Sequence, residues 1–127
     1  MNIPDGHQAV MPYLIMEDAR GFINFIKNVF DARMTHEGER DGIVGHCEAQ
    51  IGGSTIMFSQ SRDEWKPAAA NLFVYVPDAD AAYKKAISAG ATTVMEMADQ
   101  EYGRSGCITD PFGNVWWITT PQPISPA

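Results

Sequence analysis

Val10-Met11-Pro12-Tyr13-Leu14-Ile15-Met16-Glu17-Asp18 and Leu72-Phe73-Val74-Tyr75-Val76-Pro77-Asp78 are two short apolar runs rich in strand-forming residues, and each closes on an aspartate. A helical period follows both. After Asp18, residues Phe22, Phe25, Ile26, Val29 and Phe30 recur at i, i+3, i+4, i+7 and i+8, the spacing of one apolar helix face. After Asp78 the set is weaker and alanine-rich (Ala79, Ala82, Tyr83, Ala86, Ile87) and stops at Gly90, a residue suited to the left-handed position past a helix end. Asp18 and Asp78 stand where an N-cap belongs, because a short carboxylate can accept from the amides that the first turn leaves unpaired.

Shifted on itself by 60 residues, the sequence places Asp18 on Asp78, Ala19 on Ala79, Cys47 on Cys107 and Gly53 on Gly113. Identities are few, but the element types coincide throughout. Gly45 to Ser61 reads as strand, Gly52-Gly53 turn, strand. Gly106 to Thr120 reads the same way around Asp110-Pro111-Phe112-Gly113-Asn114, a run of turn formers. A further strand is predicted before each hairpin, near Arg33 to Glu37 and Thr92 to Met97. Each half is therefore a β-α-β-β-β module. The fold class predicted is α+β, with one domain over residues 1–127: module one about 8–61, a linker 62–70, module two about 71–121 and a loose tail 122–127.

Composition agrees with one globular domain. The 127 residues are 45% hydrophobic and 20% charged, ordinary for a packed core and unlike a disordered chain. The net charge of −7 comes from 9 basic against 16 acidic residues, with no Lys/Arg cluster. The counterion release that drives nucleic-acid binding is thus missing, and no nucleic-acid partner is expected. An acidic surface would tolerate a cationic ligand. Met1 to Gly6 has no basic start and no apolar segment, so no secretory signal is read there. The longest apolar run, Ala9 to Met16, is too short for a membrane span. Two cysteines are too few for a secreted disulfide scaffold. A cytoplasmic protein without a membrane partner is expected.

Two βαβββ modules in about 120 residues resemble the vicinal oxygen chelate superfamily, the group of glyoxalase I, bleomycin-resistance proteins, fosfomycin-resistance enzymes and extradiol dioxygenases. The residues that carry the resemblance are Val76-Pro77-Asp78-Ala79-Asp80-Ala81-Ala82 with Ala89-Gly90-Ala91, and Tyr102-Gly103-Arg104-Ser105-Gly106 leading to Asp110-Pro111-Phe112-Gly113-Asn114. With His46 and Trp116-Trp117 they are similar to the divergent, phosphonate-operon-associated branch. The resemblance implies cupped mixed sheets that enclose a cavity, in many members across a homodimer, so a homodimer is expected. It also implies four chelating positions, which fall here on Met11, Met57, Asn71 and Trp117. Catalytic metals of this group want hard oxygen or imidazole donors, whereas a thioether is soft and an indole N–H only donates. No metal and no other cofactor is expected at these seats.

Strand alternation sorts the remaining side chains. With Trp117 facing the cavity, Val115 and Thr119 share its face and Trp116 turns to the core. Met11, Tyr13, Ile15 and Asn71, Phe73, Tyr75 face in on the first strands, as do Thr55, Met57 and Ser59. A two-residue turn at Gly52-Gly53 pairs Ile51 with Ser54, which sets Glu48 opposite Met57, His46 opposite Ser59 and Gln50 opposite Thr55, all on the inner face. A bulge in the Asp110–Asn114 hairpin would flip the parity there. The expected pocket is aromatic and thioether-lined (Tyr13, Met57, Phe73, Tyr75, Trp117) with sparse polar groups (His46, Glu48, Asn71), and with Tyr102 and Arg104 near its mouth in relatives.

Each residue also has a plainer reading. His46 and Glu48 are an acid–base pair, two metal ligands or a solvated strand face; Arg104 holds an anion or makes a surface ion pair. His7 and His36 read as surface histidines, Cys47 and Cys107 as matched buried thiols, and Trp65 as exposed or at a dimer contact. The function expected is small-molecule binding of the glyoxalase/bleomycin-resistance type without the usual metal site, for an aromatic or cationic compound. The alternative is a metal-dependent lyase, isomerase or dioxygenase-like enzyme using a displaced His46/Glu48 site, and an interaction module with a residual pocket is the third. No glycine-rich loop follows a strand, so nothing supports a nucleotide-cofactor methyltransferase.

Overall fold

The computed structural model describes residues 1–122. The predicted tail, 122–127, lies outside the described residues except for Gln122. Two compact units divide between Ala69 and Ala70. The first holds β1 (Tyr13–Met16), α1 (Ala19–Phe30), β2 (Arg33–Arg40), β3 (Ile43–Ile51) and β4 (Ser54–Gln60). The second holds β5 (Asn71–Tyr75), α2 (Ala79–Ser88), β6 (Thr92–Gln100), β7 (Gly103–Thr109) and β8 (Val115–Pro121). Each is the βαβββ module read from the sequence, with strand orders β1-β4-β3-β2 and β5-β8-β7-β6. The parallel pairs β1/β4 and β5/β8 make both sheets mixed.

The aspartate caps form as predicted. Asp18 accepts from the Gly21 amide at 2.9 Å and Asp78 from the Ala81 amide at 3.1 Å. The first core lies between α1 and its sheet, where Phe22 meets Phe58 edge-on at 4.9 Å and Leu14, Met16, Ile26 and Cys47 are buried. The second core uses complementary volumes. The buried face of α2 is only Ala79, Ala82 and Ala86, and the sheet supplies the bulk with Ile108, Trp116 and Ile118. Close approach of a small-residue helix to a large indole fills space without overpacking.

Two boundaries differ from expectation. β1 begins at Tyr13 rather than Val10, because Pro12 has no amide to give a ladder; its carbonyl instead accepts from the Met57 amide at 3.0 Å. The stretch 62–70 does not simply run between the halves: Arg62 and Trp65 close a turn on each other, and Ala68 bridges back to Ile15.

A larger departure is in the second hairpin. Gly52 and Gly53 both take positive φ, 55° and 90°, which gives the tight turn that pairs Ile51 with Ser54 and Glu48 with Met57, as read from the sequence. In the second unit Cys107 pairs with Trp117 and Gly106 with Ile118. Met57 and Trp117 remain equivalent, opposite Tyr13 and Phe73 in the parallel ladders. Their antiparallel neighbours, Glu48 and Cys107, are therefore 59 residues apart, not 60. The matching of Cys47 with Cys107 is corrected: Cys47 partners Phe58 toward α1, whereas Cys107 shares the face of Trp117. The cause is the Asp110 turn. Asp110 Oδ1 accepts from the amides of Phe112 and Asn114, both at 2.9 Å, and Oδ2 from Asn114 Nδ2 at 3.2 Å and Trp116 Nε1 at 2.8 Å. Both thiols are buried and outside any disulfide, Cys47 Sγ donates to the Gly45 carbonyl at 3.7 Å, and burial pushes each pKa up.

Candidate functional site

Three strands bring the polar residues of the first unit together. Tyr13 lies beside Met57 on β4, Met57 beside Glu48 on β3, and Glu48 beside His36 on β2. A bulge between Met34 and His36 sets that last register, and with it the face on which His36 falls. His46 is two residues before Glu48 and shares its face. The His36 and His46 rings are 5.9 Å apart, and Tyr13 stacks on His46 at 5.5 Å.

The segment before β1 completes the cluster. The Gln8 side-chain amide donates to the Thr55 carbonyl at 2.7 Å and accepts from the Thr55 amide at 3.3 Å, standing in for a neighbouring strand. The Thr55 hydroxyl donates to the Gly6 carbonyl. His7 is thereby held with Nε2 at 2.6 Å from Glu48 Oε1, while His46 Nε2 lies 2.7 Å from Glu48 Oε2 and the Tyr13 hydroxyl 3.0 Å from His46 Nδ1. Two of the chain's three histidines thus hold one carboxylate, and the third, His36, stands beside His46. Hydrogen bonds from His46 and then His7 hold the Glu48 carboxyl below the usual range, against a smaller opposing effect of burial.

His7 and His36 were read as surface residues. His36 is exposed, but it stands in the cluster, and His7 is only 22% exposed at its side chain. Neither placement has a periodic signal: one residue precedes every element, and the other follows a bulge.

Beside Tyr13 opens a cleft of about 500 Å³ lined by Tyr13, Ile15, Ser59, Arg62 and Trp65. Two of these residues come from the stretch that folds back along β1. Among the described residues no three His, Cys, Asp or Glu side chains are placed to hold a metal ion. The N···O separations of 2.6 and 2.7 Å are hydrogen-bond lengths, whereas two donors on one tetrahedral zinc would sit roughly 3.3 Å apart.

The second unit presents an aromatic face. Phe73 lies between Tyr75, edge-on at 5.2 Å, and Tyr102 at 6.0 Å, with Trp117 as its ladder neighbour; Phe73, Tyr75 and Tyr102 are exposed. Asn71 opens β5 and is exposed. Arg104 is not with them. Its Nε and Nη2 each lie 3.1 Å from the Asp80 carboxylate on α2, and Nη1 lies 3.4 Å from Asp99. The guanidinium keeps the Asp80 carboxyl below its ordinary range. Arg104 pairs with Thr120, on the helix side of the sheet, so its expected place at a pocket mouth is corrected to an ion pair at the start of α2.

At the positions where the resemblance sets chelating residues, the first unit has Met57 and, just ahead of β1, Met11, and the second has Asn71 and Trp117. Two thioethers, one neutral amide and one indole do not fit a hard catalytic ion.

Two βαβββ units with mixed sheets of this order define a glyoxalase-like class of protein. Residues 7–118 match the family model of the Glyoxalase/Bleomycin resistance protein/Dioxygenase superfamily, and the chain belongs to that superfamily. An uncharacterized protein of Mycobacterium bovis, Mb0911c, is 31% identical over 89% of this chain and 83% of its own length. Among solved structures, TioX from Micromonospora sp. ML1 has a TM-score of 0.75 at 20% identity, covering 91% of this chain and 99% of its own. TnmS3, an antibiotic binding protein from Streptomyces sp. CB03234, has a TM-score of 0.66 at 15% identity, covering 91% of this chain and all of its own (100%). These two share the fold.

Proposed function

We propose that the protein binds a small organic molecule, aromatic or cationic, without the metal that many members of its superfamily use. One observation carries this reading: large aromatic side chains stand exposed in a group in each unit, Tyr13 of β1 lining a cleft with Trp65 in the first, and Phe73 and Tyr75 of β5 with Tyr102 of the β6–β7 turn in the second. Exposed aromatic clusters cost solvation unless a partner covers them, and their π faces suit planar or cationic ligands. The donor chemistry of Met11, Met57, Asn71 and Trp117 supports the metal-free part, and the fold shared with an antibiotic binding protein is in keeping with it. The test is calorimetry of metal-free protein against a panel of planar aromatic metabolites and cationic glycopeptide drugs. Saturable heat with one of them is expected; no heat with any of them would overturn the proposal.

A second reading has its own observation, the pairing of His7 and His46 with Glu48 and the His36 ring beside His46. It makes the protein a metal-dependent lyase, isomerase or dioxygenase-like enzyme with a displaced site. Stoichiometric metal in protein purified without chelator, lost in His46→Ala, would favour it. A homodimer in the cytoplasm completes the proposal. No helix among the described residues is long and apolar enough to cross a membrane, and two buried cysteines outside any disulfide are in keeping with a reducing compartment. Light scattering behind size exclusion reads the oligomeric state; a monomer at micromolar concentration would refute that part.

A further inference from the structure

Glu48 is a carboxylate with an imidazole Nε2 on each oxygen, and an ionised carboxylate only accepts. Both Nε2 atoms must therefore carry hydrogen. A neutral His46 then has its lone pair on Nδ1, 3.0 Å from the Tyr13 hydroxyl, and that hydroxyl must be the donor. Carboxylate, imidazole and hydroxyl stand in the order that makes a hydroxyl reactive in acyl-transfer enzymes, here with a phenol at the end. His7 fixes the carboxylate from its far side, and the strap of Gly6 and Gln8 on Thr55 fixes His7.

We propose that Tyr13 is the reactive group of a metal-independent proton-transfer site opening on the cleft formed by Ile15, Ser59, Arg62 and Trp65. This rests on the reading that the open face of the first unit takes up a small organic ligand, and it names the class: a flat compound with an acidic O–H or C–H, such as a phenol or an enolisable carbonyl. Trp65 and Ile15 offer the apolar wall. In the step itself the substrate proton passes to the Tyr13 oxygen while the Tyr13 proton passes to His46 Nδ1. The substrate is left as an anion beside the Arg62 guanidinium, and His46 becomes an imidazolium facing Glu48. The reverse transfer restores the site, and no redox partner is needed. Tyr13 would touch substrate; His46, Glu48 and His7 are positioning residues.

The second unit supplies an internal control. Tyr13, Tyr75 and Tyr102 are 50%, 57% and 46% exposed, but only Tyr13 has an imidazole on its hydroxyl among the described residues. An aryl sulfonyl fluoride applied to the full chain forms an O–S bond to a phenol and expels fluoride, with the phenol proton going to a base. Peptide mapping by mass spectrometry is expected to find Tyr13 modified at least about tenfold faster than Tyr75 and Tyr102, since a positioned general base supplies about 10²–10⁴-fold. His46→Gln, which keeps an acceptor but is no base, is expected to bring Tyr13 to the rate of the other two. Glu48→Gln leaves the ring in place and is expected to raise the share of the Nδ1–H tautomer, read from imidazole nitrogen shifts, and to slow labelling. Unchanged Tyr75 and Tyr102 rates report that the reagent acts equally on the variants, and an unchanged circular dichroism spectrum reports that they are folded. Equal rates at the three tyrosines of the unsubstituted protein, or an advantage that survives His46→Gln, would overturn the inference. Background labelling beside saturable ligand heat would sink this site and spare the binding reading; fast labelling without any ligand heat would do the opposite.

Discussion

Replacing Asp110 by alanine tests how the second hairpin obtains its register. The carboxylate is 4% exposed and accepts four hydrogen bonds, three of them from donors on the buried residues Asn114 and Trp116. A hydrogen bond to a charged group contributes about 1.5–3 kcal/mol, and deletions within one network are not additive, so about 3–5 kcal/mol is expected for Asp110→Ala. That is a large share of the stability of an ordinary domain, and Tm should fall by more than about 10 °C. Asp110→Asn keeps one oxygen for the two backbone amides but can turn an NH2 toward the indole N–H and the Asn114 amide, donor against donor. Its expected cost is intermediate, about 2–3 kcal/mol. Urea unfolding followed by tryptophan fluorescence measures both, with the slope of the transition checking that the unfolded states match. A loss below about 1 kcal/mol in Asp110→Ala would refute the reasoning.

The Glu48 carboxyl is held low by its two histidines, so its ionised form is favoured by folding. That stabilisation is whole above the unfolded value near pH 4.3 and is lost as pH falls through the lower folded value. Glu48→Gln should remove this acid-side loss, which urea titrations at pH 5 and pH 3 would reveal; parallel losses in both proteins would contradict it. Arg104→Ala breaks a solvent-screened pair and should leave the urea midpoint almost unmoved, with unchanged ligand heat in calorimetry. Gly103 has φ +143°, and a Cβ there would meet the Thr120 carbonyl oxygen at 2.1 Å. Gly103→Ala should cost about 2–4 kcal/mol in the same assay, and a neutral result would show that β7 can shift at its start.

The repeat was legible because its signals are local. An aspartate before a helical period and a Gly-Gly pair between alternating strands report backbone geometry directly, and both aspartates cap and both glycines turn as read. Faces were legible as far as the period of two holds. It holds along β3, where His46 and Glu48 fall on one side and Cys47 and Ala49 on the other. It fails wherever a residue is inserted or withdrawn, as at the bulge before His36 and the carboxylate-wrapped turn at Asp110. His7 was illegible for another reason: it belongs to no element and is placed by Gln8 and Thr55, whose pairing is long-range. Arg104 could be read either way, because an arginine near a strand start says nothing of which carboxylate lies above it.

The 59-residue offset along the third strand of each unit bears on how such a protein can be remade. A designer copying the imidazole–carboxylate array into the second half by the sixty-residue rule would write it at Gly106 and Ile108, and drive both groups under the helix. The transplant belongs at Ser105 and Cys107, with a hydroxyl added to Phe73.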